Sequence, residues 1–185
     1  MKLGVNQIPN AICILRILLI PPTVQLLLTG DYRWALALVV IAGLSDGLDG
    51  WLAKRFDWRT RIGGLLDPVA DKLLLVCLFL TLTWLGLTPL WLTVVVMARD
   101  LVIVSGAVAY NILVGKLHGE PSKISKLNTV LQLTYLVSVV SVAAYGLPPP
   151  LVITVAGAGV LITSVVSGLD YVLTWSHRAR TAEQG

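Results

Sequence analysis

Charge is scarce in this sequence. Only 13% of its 185 residues are Asp, Glu, Lys or Arg, against roughly a quarter in soluble domains. Most of such a surface is not built to face water. Cysteine and histidine are rarer, at two each. Cys13 and Cys77 both lie inside apolar runs. That excludes a disulfide framework and reads as two small buried hydrophobes. His118 and His177 fall in or beside polar loops with no partner at triad or metal spacing, so imidazole catalysis and histidine-bound zinc are not expected. There is no internal repeat and no low-complexity tract. The formal charge of +4 does not mark a nucleic-acid binder, because the basic residues sit in short loops between apolar spans. That placement marks membrane orientation and anionic headgroups.

What is abundant is apolar side chain: 56% of the residues, with a mean hydropathy of +0.84. A membrane helix needs about 20 mainly apolar residues, and six segments qualify. They run from about Ile8 to Thr29, Tyr32 to Ala53, Gly64 to Trp84, Pro89 to Val114, Ile124 to Tyr145 and Pro150 to Trp175. Lipid offers the backbone no hydrogen-bond partners, and these lengths are far too long for barrel strands. Val94-Val95-Val96 is therefore read as helix despite its strand propensity. Arg16 interrupts the first stretch and no small-residue cleavage site follows it, so a retained span is expected rather than a cleaved signal. The expected fold is all-α: a polytopic bundle of six transmembrane helices in one domain, 1–185, with Thr181 to Gly185 a disordered tail.

Orientation follows from loop charge. One side holds Lys2, Lys54, Arg55, Arg59, Arg61, Lys116, Lys123, Lys126, Arg178 and Arg180. The other holds Arg33 and uncharged loops edged by aromatic residues. Both termini are expected in the cytoplasm.

The informative stretch runs from Ser45 to Lys72, SDGLDGWLAKRFDWRTRIGGLLDPVADK. Asp46 and Asp49 are three apart near the cytoplasmic end of the second segment. Asp67 and Asp71 are four apart near the start of the third. Those spacings put each pair on one helix face, and the basic loop between them makes the helices antiparallel neighbours. Each carboxylate costs about 2.5–3.5 kcal/mol at the centre of a membrane helix, and four together repel. A pair of divalent cations neutralises them, and an all-oxygen donor set selects Mg²⁺ or Mn²⁺ over zinc. Salt bridges to Lys54, Arg55, Arg61 and Lys72 explain any single aspartate, but not four at these spacings with glycines between. Gly47, Gly50, Gly63 and Gly64 are each costly in a helix, by about 1 kcal/mol relative to Ala. Close helix packing and ligand access account for them equally well.

The string Asp46-x-x-Asp49-Gly50-x-x-Ala53-Lys54, then Gly63-x-x-x-Asp67-x-x-x-Asp71, resembles the signature of the CDP-alcohol phosphotransferases. All four aspartates and both signature glycines match; Lys54 stands where the family usually has Arg. Ile8-Pro9-Asn10, Arg16 and Pro21 are similar to the first helix of bacterial phosphatidylglycerophosphate and cardiolipin synthases. Ala98-Arg99-Asp100 and Ile124 to Thr129 look most like cardiolipin synthases of mitochondrial type. The resemblance implies a homodimer and two Mg²⁺ or Mn²⁺ ions held by Asp46, Asp49, Asp67 and Asp71, with Asp71 also the general base. It implies CDP binding by Gly50, Ala53, Lys54 and Gly63. The donor would be CDP-diacylglycerol and the acceptor phosphatidylglycerol, with glycerol 3-phosphate as the alternative; CMP would leave. The site would face the cytoplasm from a bacterial inner membrane.

Either acceptor carries a phosphate and needs cations. Arg99, Lys123 and Lys126 are the candidates, Arg99 first because an arginine inside a span is a functional hypothesis by default. A salt bridge from Arg99 to Asp100 is expected to be poor, since sequence neighbours diverge by about 100° on a helix. Two rival classes stand beside the enzyme. A transporter would use the aspartates for cations or protons, and a scaffold would hold a structural metal.

Overall fold

The computed structural model describes the backbone of residues 8–56, 63–113 and 123–182, and side chains over 12–45, 70, 72–106 and 124–173. Every described element is a helix, apart from the turns that join them. They are α1 (Ile8–Thr29), α2 (Tyr32–Phe56), α3 (Gly63–Trp84), α4 (Leu90–Leu113), α5 (Lys123–Tyr145) and α6 (Pro150–Ala182). These are the six segments read from hydropathy, with shifted ends. Pro89 accepts from the amides of Leu92 and Thr93, which places it just before α4 rather than in it. Val114 lies outside the described residues. The expected disordered tail is corrected in part: α6 runs through Thr181 to Ala182. The stretch after Trp175 includes Arg178, Ala179, Arg180 and Ala182 and has no glycine or proline, so helix propensity carries it on. Residues 183–185 lie outside the described residues.

Three helices are long and apolar enough to cross a membrane among the described residues: Ile12–Thr29, Ile124–Tyr145 and Pro150–Leu173. The side chains are sorted as lipid demands. Leu18, Trp34, Leu44, Trp84, Leu101, Leu151 and Leu173 face outward, while Arg16, Thr23, Arg99, Asp100, Asn128, Gln132, Ser164 and Ser167 are buried. A water-soluble protein does the reverse. Hydroxyls that remain inside bond the carbonyl one turn back, as Thr23 does to Leu19 (2.6 Å) and Thr81 to Cys77 (2.7 Å). Cys13 is buried and Cys77 half-buried, and the two are not joined by a disulfide.

The chain divides into two compact units. The first comprises Met1–Thr88 and Leu136–Pro149, the second Pro89–Tyr135 and Pro150–Gly185. In the first, α1 packs on both α2 and α3. Its buried stripe is Cys13, Arg16, Ile20, Thr23 and Leu27, in alternating steps of three and four that keep one side of the helix against its neighbours. In α2 the stripe is Ala35, Val39 and Ala42; in α3 it is Ala70, Leu74, Leu75, Leu78, Phe79 and Leu82. The turn from α1 to α2 is fixed by Gly30 at φ +83°. Its amide donates to Leu27 and that of Asp31 to Leu26, a Schellman closure that needs a left-handed residue.

In the second unit α4 packs on α6. The contact is close at Gly157, where a Cβ would stand 3.2 Å from the Tyr135 ring and 3.8 Å from Leu92. The buried positions Leu92, Val96, Arg99 and Asp100 of α4 and Val160, Ser164 and Ser167 of α6 change from apolar to polar along each helix.

Candidate active site

Backbone register locates the signature aspartates. The buried stripe of α2 steps Ala35, Val39, Ala42, and the same three-four rhythm continues through positions 46, 49 and 53. Asp46, Asp49 and Ala53 thus extend the stripe that faces inward one turn earlier. Asp71 stands three and four residues before the buried Leu74 and Leu75 of α3, and Asp67 one turn before Asp71. Both pairs stand at positions that continue the buried stripes of their helices. The side chains of Asp46, Asp49, Gly50, Ala53, Lys54, Gly63, Asp67 and Asp71 lie outside the described residues. Donor chemistry fits a hard cation: the four signature carboxylates, with no histidine or cysteine between Ser45 and Lys72. Among the described side chains no group of three His, Cys, Asp or Glu gathers.

Arg16 belongs to the same region, where sequence reasoning left its role open. It is 1% exposed, the largest fully buried side chain described, and it is engaged by polar or ionic interaction. Arg16 lies thirteen residues before Thr29 and Asp46 fourteen after Tyr32. At 1.5 Å per residue both are about 20 Å from the turn joining α1 and α2. Counting back from that turn would have flagged it: its position on α1 is level with that of Asp46 on the packed neighbour α2. A cavity of about 290 Å³ lined by Gly30, Tyr32, Arg33, Trp34 and Ala143 sits at that turn, far from the aspartates, and has no bearing on them.

The second unit carries its own polar cluster. Arg99 is 5% exposed. Its Nη1 donates to Asp100 Oδ1 at 2.7 Å; Nη2 donates to Ser125 Oγ at 2.5 Å and to Ser167 Oγ at 2.7 Å. The expectation that Arg99 and Asp100 pair poorly is corrected. The guanidinium is long enough to curl back across the 100° between the two positions, and both charges are buried where an opposite charge offsets lost hydration. One arginine thereby ties α4 to α5 and α6. Lys126 is exposed at the start of α5. The side chain of Lys123 lies outside the described residues.

Comparison with known proteins decides the family. A family model for CDP-alcohol phosphatidyltransferase matches residues 6–175. The chain belongs to this family. A cardiolipin synthase (CMP-forming) of Streptomyces coelicolor is 38% identical over 102 residues, 52% of this chain and 47% of that protein. The human cardiolipin synthase (CMP-forming) is 28% identical over 180 residues, 89% of this chain and 60% of that protein. A cardiolipin synthase/mitochondrial hydrolase fusion protein of Schizosaccharomyces pombe is 33% identical over 150 residues, 72% of this chain and 25% of that protein. The chain therefore spans about half to three fifths of the length of the first two relatives.

For a CDP-alcohol phosphatidyltransferase, the register result is the useful one. The signature aspartates occupy helix positions that continue the buried stripes of α2 and α3 in register, and Arg16 is buried on α1. Sequence reasoning also missed Gln132 and the pairing of Asn128 with Thr163 and Ser164 in the second unit. The signal was present: two carboxamides four residues apart in an apolar span.

Proposed function

We propose that this protein transfers the phosphatidyl group of CDP-diacylglycerol to phosphatidylglycerol, forming cardiolipin and releasing CMP. The observation that carries the reading is the continuation of the buried stripes of α2 and α3 through Asp46, Asp49, Asp67 and Asp71. The family and the names of the relatives support it. We read all six helices as membrane spans, both termini and the aspartates on the cytoplasmic side, and the enzyme as a homodimer in a bacterial inner membrane.

Asp46, Asp49, Asp67 and Asp71 would hold two Mg²⁺ or Mn²⁺ ions, which when bound neutralise the CDP diphosphate and make its phosphorus electrophilic. Asp71 takes the proton from the acceptor hydroxyl. The freed oxygen forms a bond to the phosphorus bearing diacylglycerol, and the bond from that phosphorus to CMP breaks with the electron pair leaving on CMP. Gly50, Ala53 and Gly63 leave room for the nucleotide and Lys54 meets its phosphates. Arg16 offsets the carboxylate charge before substrate arrives. Lys123 and Lys126 meet the acceptor phosphate, and Arg99 joins them by exchanging Asp100 for that phosphate.

The test is a substrate panel on purified protein with labelled CDP-diacylglycerol and Mg²⁺ or Mn²⁺. Cardiolipin from phosphatidylglycerol supports the reading. Product from glycerol 3-phosphate alone makes the protein a phosphatidylglycerophosphate synthase instead.

A further inference from the structure

The turn between α1 and α2 carries a feature that the transfer reaction does not use. The cavity of about 290 Å³ there is lined by the turn itself, Gly30 to Trp34, and by Ala143 and Ala144 of α5. All of these residues belong to the first unit. Ligand cavities run from about 300 to 1,000 Å³, so this one has room for a headgroup and not for a whole lipid.

The cavity holds one side chain of each charge. Asp31 and Arg33 are both exposed, and no ion pair joins them among the described residues. One Asp31 oxygen accepts a long bond from Thr29 Oγ1 at 3.3 Å. The Arg33 guanidinium stands over the Tyr145 ring, 5.5 Å from its centre. That contact steadies the cation through the ring's charge distribution and leaves its N–H donors for an acceptor. Opposite charges that line one cavity without pairing match a ligand that carries both. An anion alone would meet the Asp31 carboxylate, and a cation alone the Arg33 guanidinium. A phosphate joined to an ammonium avoids both repulsions and forms a charge-assisted hydrogen bond at each end.

Position gives the source of that ligand. Two candidate membrane spans, Ile12–Thr29 and Ile124–Tyr145, end beside the cavity. Trp34 and Tyr145 are 68% and 59% exposed, as amphipathic rings are at the headgroup level of a bilayer. Leu28, just before the turn, is exposed as well and gives an acyl chain an apolar surface. We infer that this cavity binds the headgroup of a zwitterionic phospholipid, with phosphate on Arg33 and ammonium on Asp31. Arg33 stands about 20 Å along α2 from Asp46, so this site is separate from the transfer reaction and does not depend on it.

The test uses two lipids that differ only in the amine, phosphatidylethanolamine and phosphatidylethanol. Lipid retained on the purified protein in detergent is counted by native mass spectrometry. The unmodified protein is expected to retain phosphatidylethanolamine about three- to tenfold more. Asp31→Asn should bring that ratio to within about twofold of unity. Arg33→Gln should lower retention of phosphatidylethanolamine by about three- to tenfold, and Arg33→Lys, which keeps the charge, by less. Asn and Ser are both good helix caps, so Asp31→Ser is the second route should Asn disturb the turn, with thermal unfolding as the check. Free phosphoethanolamine at the lipid's concentration should displace none of it. Full displacement means a water-soluble ligand and overturns the lipid assignment. An unmodified ratio near unity, a ratio unchanged in Asp31→Asn, or retention unchanged in Arg33→Gln overturns the site.

Discussion

A few side chains decide what this molecule does, and their environments set what each substitution should cost. Asp71→Asn keeps size and removes the proposed base. Turnover should fall by about 10²–10⁴ with the detergent unfolding temperature within a degree or two. A scaffold holding a structural metal predicts the opposite, loss of stability with nothing to lose in turnover. Arg99→Met leaves Asp100 buried without its guanidinium, at a cost of about 3–5 kcal/mol. Adding Asp100→Leu should recover most of it, measured by unfolding of the single and double variants. At this scale the sequence was legible where chemistry repeats in a pattern. The aspartate spacings were readable because three and four are the helix's own periods. Arg99 was legible as important but not in its bonding: its contact with Asp100 depends on side-chain curl, and those with Ser125 and Ser167 join residues 26 and 68 apart in the chain. Gln132 was legible only when set beside Asn128, four residues earlier on the same face of α5; neither amide alone carries a period.

Helices were the easiest level to read, because apolar length alone sets a span and no rival structure closes its backbone bonds in lipid. The end of α6 was not, since beyond the last apolar residue only helix propensity decides, and it acts weakly. Tight places follow from the packing. Gly30 closes α1 in a left-handed conformation with nothing near its missing Cβ, so Gly30→Ala should cost about 1 kcal/mol through backbone strain. Gly30→Asn should cost less, since Asn tolerates that conformation better. Gly157 faces the opposite constraint. Its helical backbone would welcome Ala by about 1 kcal/mol, but the Tyr135 ring at 3.2 Å must give way. Gly157→Ala should be near neutral, and Gly157→Leu destabilising by about 1–3 kcal/mol through overpacking, both read from thermal unfolding.

Taken whole, the described side chains are sorted for a bilayer: apolar groups outward, charge and amide inward. Sequence composition announces that sorting, but which polar residues share an interior depends on how helices distant in the chain are brought side by side. The account therefore stands on chemistry performed by the assembled protein. Stripping divalent cations with a chelator should abolish turnover, and Mg²⁺ or Mn²⁺ should restore it. The most direct measurement follows labelled CDP-diacylglycerol with the purified protein, Mg²⁺ or Mn²⁺ and phosphatidylglycerol, counting both products. The account predicts CMP and cardiolipin in equal amounts, and neither with Asp67→Asn. CMP without a new phosphodiester, or cardiolipin undiminished in Asp67→Asn, would contradict it.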